Sequence, residues 1–312
     1  MTKRVLQGVV VGAGFMGRTH LAAYGSRKDA RIVCVVDRDV ERARSIALGC
    51  EVRSDLSKAL SDWEVDFVDV CLPSTLHRDA VVEALDAHAD VLVEKPFAVS
   101  LVDVDAMVSA SEKTKSRLMV AHVCRFMPQY LYLKNTVEGQ ILGKPLVFHA
   151  WRLSEVPAWS WNNWLNDKAQ SGGTLLDLSI HDLDVANWLF GVPKAHNLTE
   201  ISSLSSPGPA HTIARLSYDD IGAVTIEASH LMPKNYPFTA GFRLVAERGT
   251  LEFSGSLNEF TDKSVRQISL DQYDPYEAEI HHFLDCLKSG EDFRITPQEA
   301  RLAVATVHEL RK

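Results

Sequence analysis

A chain of 312 residues exceeds the usual single domain, and a composition of 46% hydrophobic and 24% charged residues suffices for two packed cores. With 33 Lys and Arg against 41 Asp and Glu the formal net charge is −8, and there is no basic run of the kind that nucleic acid or an anionic membrane surface demands. The five cysteines, at 34, 50, 71, 124 and 286, are odd in number, scattered and without a C-x-x-C pair, which argues against a disulfide framework or zinc ribbon and fits a reducing cytoplasm.

The N-terminal stretch MTKRVLQGVVVGAGF has the basic start and apolar run of a signal peptide. The run is short, broken by three glycines and followed by no small-residue cleavage site, so it reads as a buried strand entering a turn. No stretch approaches about 18 uninterrupted apolar residues, so no membrane-spanning helix is expected. Up to residue 121, β-branched runs alternate with helical patterns. The strands are RVLQGVVVG, RIVCVVD, DFVDVCLP, ADVLVEKP and RLMVAHV; the helices are predicted over 16–24, 40–48, 76–87 and 101–114. This order predicts βαβ units and a doubly wound parallel sheet, buried on both faces.

From residue 122 the pattern changes. A helix is expected near 130–138, then a strand at LVFHAWRL, a loop carrying Trp159, Trp161 and Trp164, and one helix over 174–190. A Ser/Pro loop at 202–209 follows. The segments HTIARLSY, AVTIEASHLM, TAGFRLVAERG, TLEFSG and VRQISL, separated by turn residues, predict a largely antiparallel sheet, and helical patterns over 276–288 and 297–310 finish the chain. The expected fold class is α/β: a dinucleotide-binding domain over 1–121, then a substrate-binding α+β domain over 122–312.

Residues 12–17, Gly-Ala-Gly-Phe-Met-Gly, follow a strand and open a helix, the context in which G-x-G-x-x-G binds a dinucleotide. Gly12 allows the tight turn, Gly14 the approach of a pyrophosphate and Gly17 the helix–strand packing, with Phe15 and Met16 in the loop between. Asp37 ends the second strand twenty residues after Gly17, where a carboxylate accepts from the ribose hydroxyls of NAD and repels a 2′-phosphate. Arg38 beside it would attract that phosphate, which keeps NADP open. The third strand runs into Leu72, Pro73, Thr75 and His77, which can flank the cofactor; for His77 a helix-start role is equally open.

The fourth strand ends in Glu94-Lys95-Pro96, which turns a lysine toward the ligand crevice, with a cis bond possible at the proline. In the second domain Gly172-Gly173 precedes Asp177 and His181, four apart and so expected on one face of a helix. Such a pair suits acid–base chemistry, metal binding or a plain surface contact. With one histidine in the group and no H-E-x-x-H, no metal is expected.

Taken together, GAGFMG, EKP and GGTLLDLSIHDLD in this order resemble the Gfo/Idh/MocA oxidoreductase family along essentially the whole chain. The resemblance implies an N-terminal Rossmann domain and a C-terminal domain with an open sheet used for oligomerisation, hence a homodimer or homotetramer. It implies hydride exchange between NAD(P) and a secondary alcohol or ketone of a sugar, sugar derivative or cyclitol. Lys95 then binds the reacting oxygen and can relay its proton, Asp177 positions the substrate, and His181 removes the proton. The family's Asn-x-Arg-Phe segment reads His122-Val123-Cys124-Arg125-Phe126 here: Arg125, a cofactor-side residue by the resemblance, is kept and the Asn is not. Trp164, close to the Gly-Gly motif, is a candidate for stacking on a sugar ring. Two alternatives stand beside this reading. A nucleotide-sugar dehydrogenase would want grouped basic residues for a diphosphate, and none are grouped. A non-catalytic NAD sensor would be free to lose Lys95, Asp177 or His181, and all three are present.

Overall fold

The computed structural model describes residues 4–158, 160–203 and 208–312; Trp159 and the centre of the Ser/Pro loop lie outside the described residues. The chain divides into two compact units, 1–123 with 273–301, and 124–272 with 302–312.

The first unit runs β1 (Leu6–Val11), α1 (Phe15–Tyr24), β2 (Ala30–Val36), α2 (Val40–Ile46), β3 (Glu51–Arg53), α3 (Leu56–Asp62), β4 (Phe67–Val70), a 3-10 turn at Ser74–Leu76, α4 (His77–Asp86), β5 (Asp90–Glu94), α5 (Leu101–Thr114) and β6 (Leu118–Ala121). Its described strands form a wholly parallel sheet in the order β3-β2-β1-β4-β5-β6. The apolar runs that suggested two-sided burial deliver it: Val9, Val10, Val35, Val68 and Leu92 are all at 0% exposure, and Cys34 and Cys71 are core residues. Helix starts are set by side chains that accept backbone N–H groups: Asp39 for α2, Asp55 for α3 and Ser100 for α5. β3 and α3 were not anticipated. β3 is three residues long with no buried side chain, and so leaves no apolar run to read.

The second unit runs α6 (Pro128–Glu138), β7 (Pro145–Glu155), a 3-10 segment at Trp161–Asn166, α7 (Lys168–Ser171), α8 (Gly173–Asp177), α9 (Ile180–Phe190), β8 (Ala195–Ser202), β9 (Ala210–Tyr218), β10 (Ile221–Met232), β11 (Thr239–Ala246), β12 (Gly249–Ser254), β13 (Leu257–Thr261) and β14 (Ser264–Ile268). Its sheet has the order β14-β13-β12-β11-β7-β10-β9-β8, antiparallel except for the central β7–β10 pair. Strict alternation of burial along β9 shows one covered face. Helices cover it: Phe190 of α9 meets Phe148 of β7 edge-on at 5.7 Å, and Tyr130 of α6 meets Phe242 of β11 at 5.3 Å.

Two sequence expectations differ from the structure. The helix expected over 174–190 is two helices. Leu178 N and Ser179 N both donate to Thr174 O, and a new helix begins at Ile180. Buried apolar residues continue through the break, so periodicity does not register it. Residues 273–301, expected in the second domain, pack in the first unit. There α10 (Pro275–Ser289) lies along α1, with Phe283 edge-on to Phe67 at 5.8 Å and stacked on Phe293 at 5.4 Å. The last helix, α11 (Pro297–Leu310), starts in the first unit and ends in the second.

Candidate active site

In the first unit, β1 ends in a turn that demands glycine. Gly12 has φ +105, and a Cβ there would sit 2.5 Å from the Cys71 carbonyl; a Cβ on Gly17 would sit 1.8 Å from the Gly12 carbonyl. At Gly14 a Cβ would meet nothing within 4 Å, so the loop is open where a ligand would approach. Gly14 is the N-cap of α1, no side chain caps that helix and its first turn holds no acidic residue. The first N–H groups and the positive end of the dipole therefore serve an anion such as a pyrophosphate. Phe15, 65% exposed, and half-buried Met16 are the first residues of α1.

Asp37 leaves the end of β2 toward this loop. Its carboxylate accepts the Ala13 N–H at 2.8 Å and the Asp39 N–H at 2.9 Å, and Arg42 of α2 donates to both oxygens at 2.7 and 3.2 Å. The acid is thus tied to the glycine loop itself, and an arginine sits on it. Arg38 is exposed beside it. Sequence reading missed Arg42; its only signal was a basic residue five positions after the acid.

Leu72 and Pro73 are half-buried and Thr75 is exposed in the turn after β4. His77 resolves toward structure. It is wholly buried, with Nε2 2.8 Å from the Leu72 carbonyl and Nδ1 3.2 Å from the Phe97 carbonyl, so it braces two turns against each other. Burial pushes its pKa below the usual imidazole value. At the end of β5 the Glu94 carboxylate accepts the backbone N–H of Lys95 at 2.9 Å, and the Lys95–Pro96 bond is cis. Lys95 is half-buried.

In the second unit, Gly172 and Gly173 both adopt left-handed φ, at +76 and +70, and swing the chain into α8. Asp177 closes that helix and faces Nε2 of His230, on β10, at 3.7 Å. Thr174 Oγ1 accepts the Ala210 N–H and lies 3.2 Å from the other ring nitrogen, Nδ1, of His230. A hydroxyl proton given to Nδ1 leaves the imidazole N–H on Nε2, toward Asp177. His230 was not singled out from the sequence, where it is one polar residue inside a β-strand pattern. His181 is half-buried at the start of α9, its Nδ1 3.8 Å from the Cys124 thiol. Burial pushes the Cys124 thiol up to about 11, so it stays protonated at neutral pH.

Beneath these residues lie two bidentate ion pairs. Arg152 Nε is 2.9 Å from Asp182, and the same guanidinium donates to Tyr130 Oη at 2.9 Å and to the Cys124 sulfur at 3.0 Å. Arg125 reaches Asp184 at 2.9 and 2.8 Å. Arg125 is 1% exposed and stacks over Trp188, which places the expected cofactor-side residue inside the core of the second unit, as a brace for α9. Trp164 is half-buried in the 3-10 segment, and Trp161 is 55% exposed.

Among the described residues, His20, Asp69 and Cys71 are the one group spaced to hold a metal. Asp69 already accepts from Tyr24 and lies at hydrogen-bond distance from His20 and the Cys71 thiol, which leaves it little capacity as a ligand. No helix among the described residues is long and apolar enough to cross a membrane.

Residues 6–122 match a family model described as an oxidoreductase family with an NAD-binding Rossmann fold, and residues 130–252 match the GFO/IDH/MocA C-terminal domain. The chain is 28% identical to scyllo-inositol 2-dehydrogenase (NAD(+)) of Bacillus subtilis (strain 168), over 94% of this chain and 89% of that protein. It is 31% identical to inositol 2-dehydrogenase 4 of Saccharopolyspora erythraea, over 73% of this chain and 65% of that protein. An oxidoreductase from Agrobacterium radiobacter, solved with NAD+, L-tartaric acid and magnesium, superimposes with a TM-score of 0.87 at 22% identity, covering 97% of this chain and 94% of that one.

Proposed function

The chain belongs to the Gfo/Idh/MocA oxidoreductase family, and from that premise we propose that it moves hydride between a nicotinamide cofactor and a secondary alcohol or ketone of a sugar, sugar derivative or cyclitol. The observation that carries the cofactor half is the Asp37 carboxylate hydrogen-bonded to Ala13 inside the open glycine loop. An uncapped helix start and an adjoining carboxylate fit the pyrophosphate and ribose of NAD. NAD, when bound, supplies the hydride acceptor.

The remaining roles fall to Lys95, Asp177, His181 and Trp164. His181 accepts the hydroxyl proton as hydride leaves the same carbon, since a neutral imidazole is a competent base near neutral pH. The Lys95 ammonium stabilises the negative charge that grows on the oxygen and can pass a proton to or from it. Asp177, oriented by His230, holds a further substrate hydroxyl, and Trp164 offers a flat apolar face to the ring. Val147 and Val265, both more than 40% exposed on the uncovered face of the second unit's sheet, support association of two or four copies through that sheet.

The test is a panel of cyclitols, aldoses, ketoses and sugar acids, with nucleotide-linked sugars as the contrasting class, scored by reduction of NAD and NADP. Turnover of a free sugar or cyclitol supports the proposal. Turnover confined to nucleotide-linked sugars, or NAD binding with no turnover of any member, contradicts it.

A further inference from the structure

A polar cluster lies wholly inside the first unit, beneath the Glu94–Lys95 corner. His20, on the buried face of α1, is at 0% exposure. Its Nδ1 is 2.9 Å from Asp69, and its Nε2 is 3.1 Å from Glu94, within ion-pair range though off the line of a hydrogen bond. Asp69, also at 0% exposure, is further held by Tyr24 Oη at 3.1 Å and the Cys71 thiol at 3.4 Å. Glu279 of α10, fully buried, presents two carboxyl oxygens with no hydrogen-bond partner among the described residues. Of these groups only Glu94 was singled out from the sequence, as a cofactor-side residue of the Glu94-Lys95-Pro96 motif.

An imidazole with a ring nitrogen close to each of two carboxylates is stabilised when both nitrogens carry protons, because each carboxylate then faces a positive ring. Burial opposes that charge most strongly, yet the attraction and hydrogen bonding of Asp69 and Cys71 together hold the His20 pKa well above the usual value. The groups facing His20 come from four elements: Tyr24 on its own helix, Asp69 and Cys71 from β4 and the residue after it, Glu94 from β5, and Glu279 from α10. Glu279 is pushed well up by burial and by the Glu94 charge, so it stays protonated and adds no second negative charge.

The other Glu94 oxygen, Oε2, is the one that accepts the Lys95 N–H. One carboxylate thus has a cation on one side and the backbone of the lysine on the other. We infer that His20 is a positioning residue for Lys95: an imidazolium on α1 fixes the Glu94 carboxylate, which in turn fixes the start of the Lys95–Pro96 corner. The helix whose N-terminus offers the pyrophosphate site would thereby be tied to the lysine, rather than merely adjoining it in the sheet. The inference rests on the assignment of Lys95 to the reaction made above.

The test has a part that needs no substrate. Nitrogen NMR of histidine-labelled wild-type protein should show His20 protonated at both nitrogens at about pH 8, more than a unit above the ordinary histidine value. A singly protonated His20 at that pH overturns the inference, whether or not any variant folds. Hydrogen exchange should then show the Lys95 amide exchanging about tenfold faster in His20→Gln, with α5 amides unchanged. On any alcohol the enzyme oxidises, His20→Gln should lower kcat about tenfold, leave NAD affinity within about twofold, and cost nothing more in a Lys95→Ala background. An equal loss in both backgrounds, or unaltered Lys95 exchange, overturns the inference. If instead Lys95→Ala retains full turnover, the assignment of Lys95 fails while the NMR and exchange results still decide what His20 holds.

Discussion

Nε2 of His230 faces the Asp177 carboxylate at 3.7 Å, and Thr174 holds the opposite ring nitrogen. A carboxylate that must hold a substrate hydroxyl gains from a partner that fixes its rotamer, so His230 extends the site one layer outward. His230→Ala should lower kcat/KM about ten- to a hundredfold while leaving NAD affinity unchanged. Steady-state kinetics beside NAD titration separates the two effects. Unchanged kcat/KM in a folded variant would remove His230 from the account.

Asp37 is expected to set the cofactor. Asp37→Ser deletes the acceptor for the ribose hydroxyls and the charge that repels a 2′-phosphate, and removes its bonds to Arg42, which with Arg38 can then meet that phosphate. The ratio of kcat/KM for NAD to that for NADP should fall at least about tenfold, measured with both cofactors at fixed substrate. An equal loss for both would show that Asp37 only braces the loop through Ala13.

The pair Arg125–Asp184 is predicted to be structural. Both side chains are at or below 1% exposure, so Asp184→Ala removes the carboxylate that pairs with a buried guanidinium and should cost about 3–5 kcal/mol in urea unfolding. Replacing both, as Arg125→Met with Asp184→Leu, should cost far less, because no unpaired charge remains. Weakened NAD binding with unchanged stability in Arg125→Met would restore Arg125 to the cofactor.

Stability should decline on the alkaline side, and the sign follows from two groups. Glu279 and His20 both have folded pKa values raised above their unfolded ones. The native state therefore binds more protons, and stability falls as pH rises from the ordinary carboxyl value for Glu279 and from the ordinary imidazole value for His20, each up to its folded pKa. Glu279→Gln keeps the shape of the neutral acid and should flatten part of that decline. Thermal melts from about pH 7 to pH 9, above the range in which the lowered His77 pKa gives the opposite slope, read it out, and a wild-type Tm that rises across this range would contradict the assignment.

The parallel sheet was legible because its strands are continuous apolar runs and because the glycine loop needs a strand before it and a helix after it. Asp37 was legible by spacing alone. His230 and Arg42 were not, since nothing local distinguishes a histidine in a strand or an arginine on a short helix until a partner meets it. Arg125 was expected on the cofactor side by resemblance; its bond to Asp184, fifty-nine residues on, had no local signal in the sequence. The return of 273–301 to the first unit was equally hidden: an amphipathic helix announces that one face is buried, not what buries it. The buried cluster around His20 left no pattern, because its members come from four separate elements.

The central claim, that this chain carries out alcohol–ketone hydride exchange with Lys95 and His181 acting on the substrate, meets its most direct test in two variants assayed on a substrate found by the sugar and cyclitol panel. Lys95→Ala and His181→Ala should each lower kcat by about 10²–10⁴ while NAD binds as tightly as to the wild type, the loss expected when a positioned acid or base is removed. Turnover within about twofold of wild type in either folded variant would contradict the account.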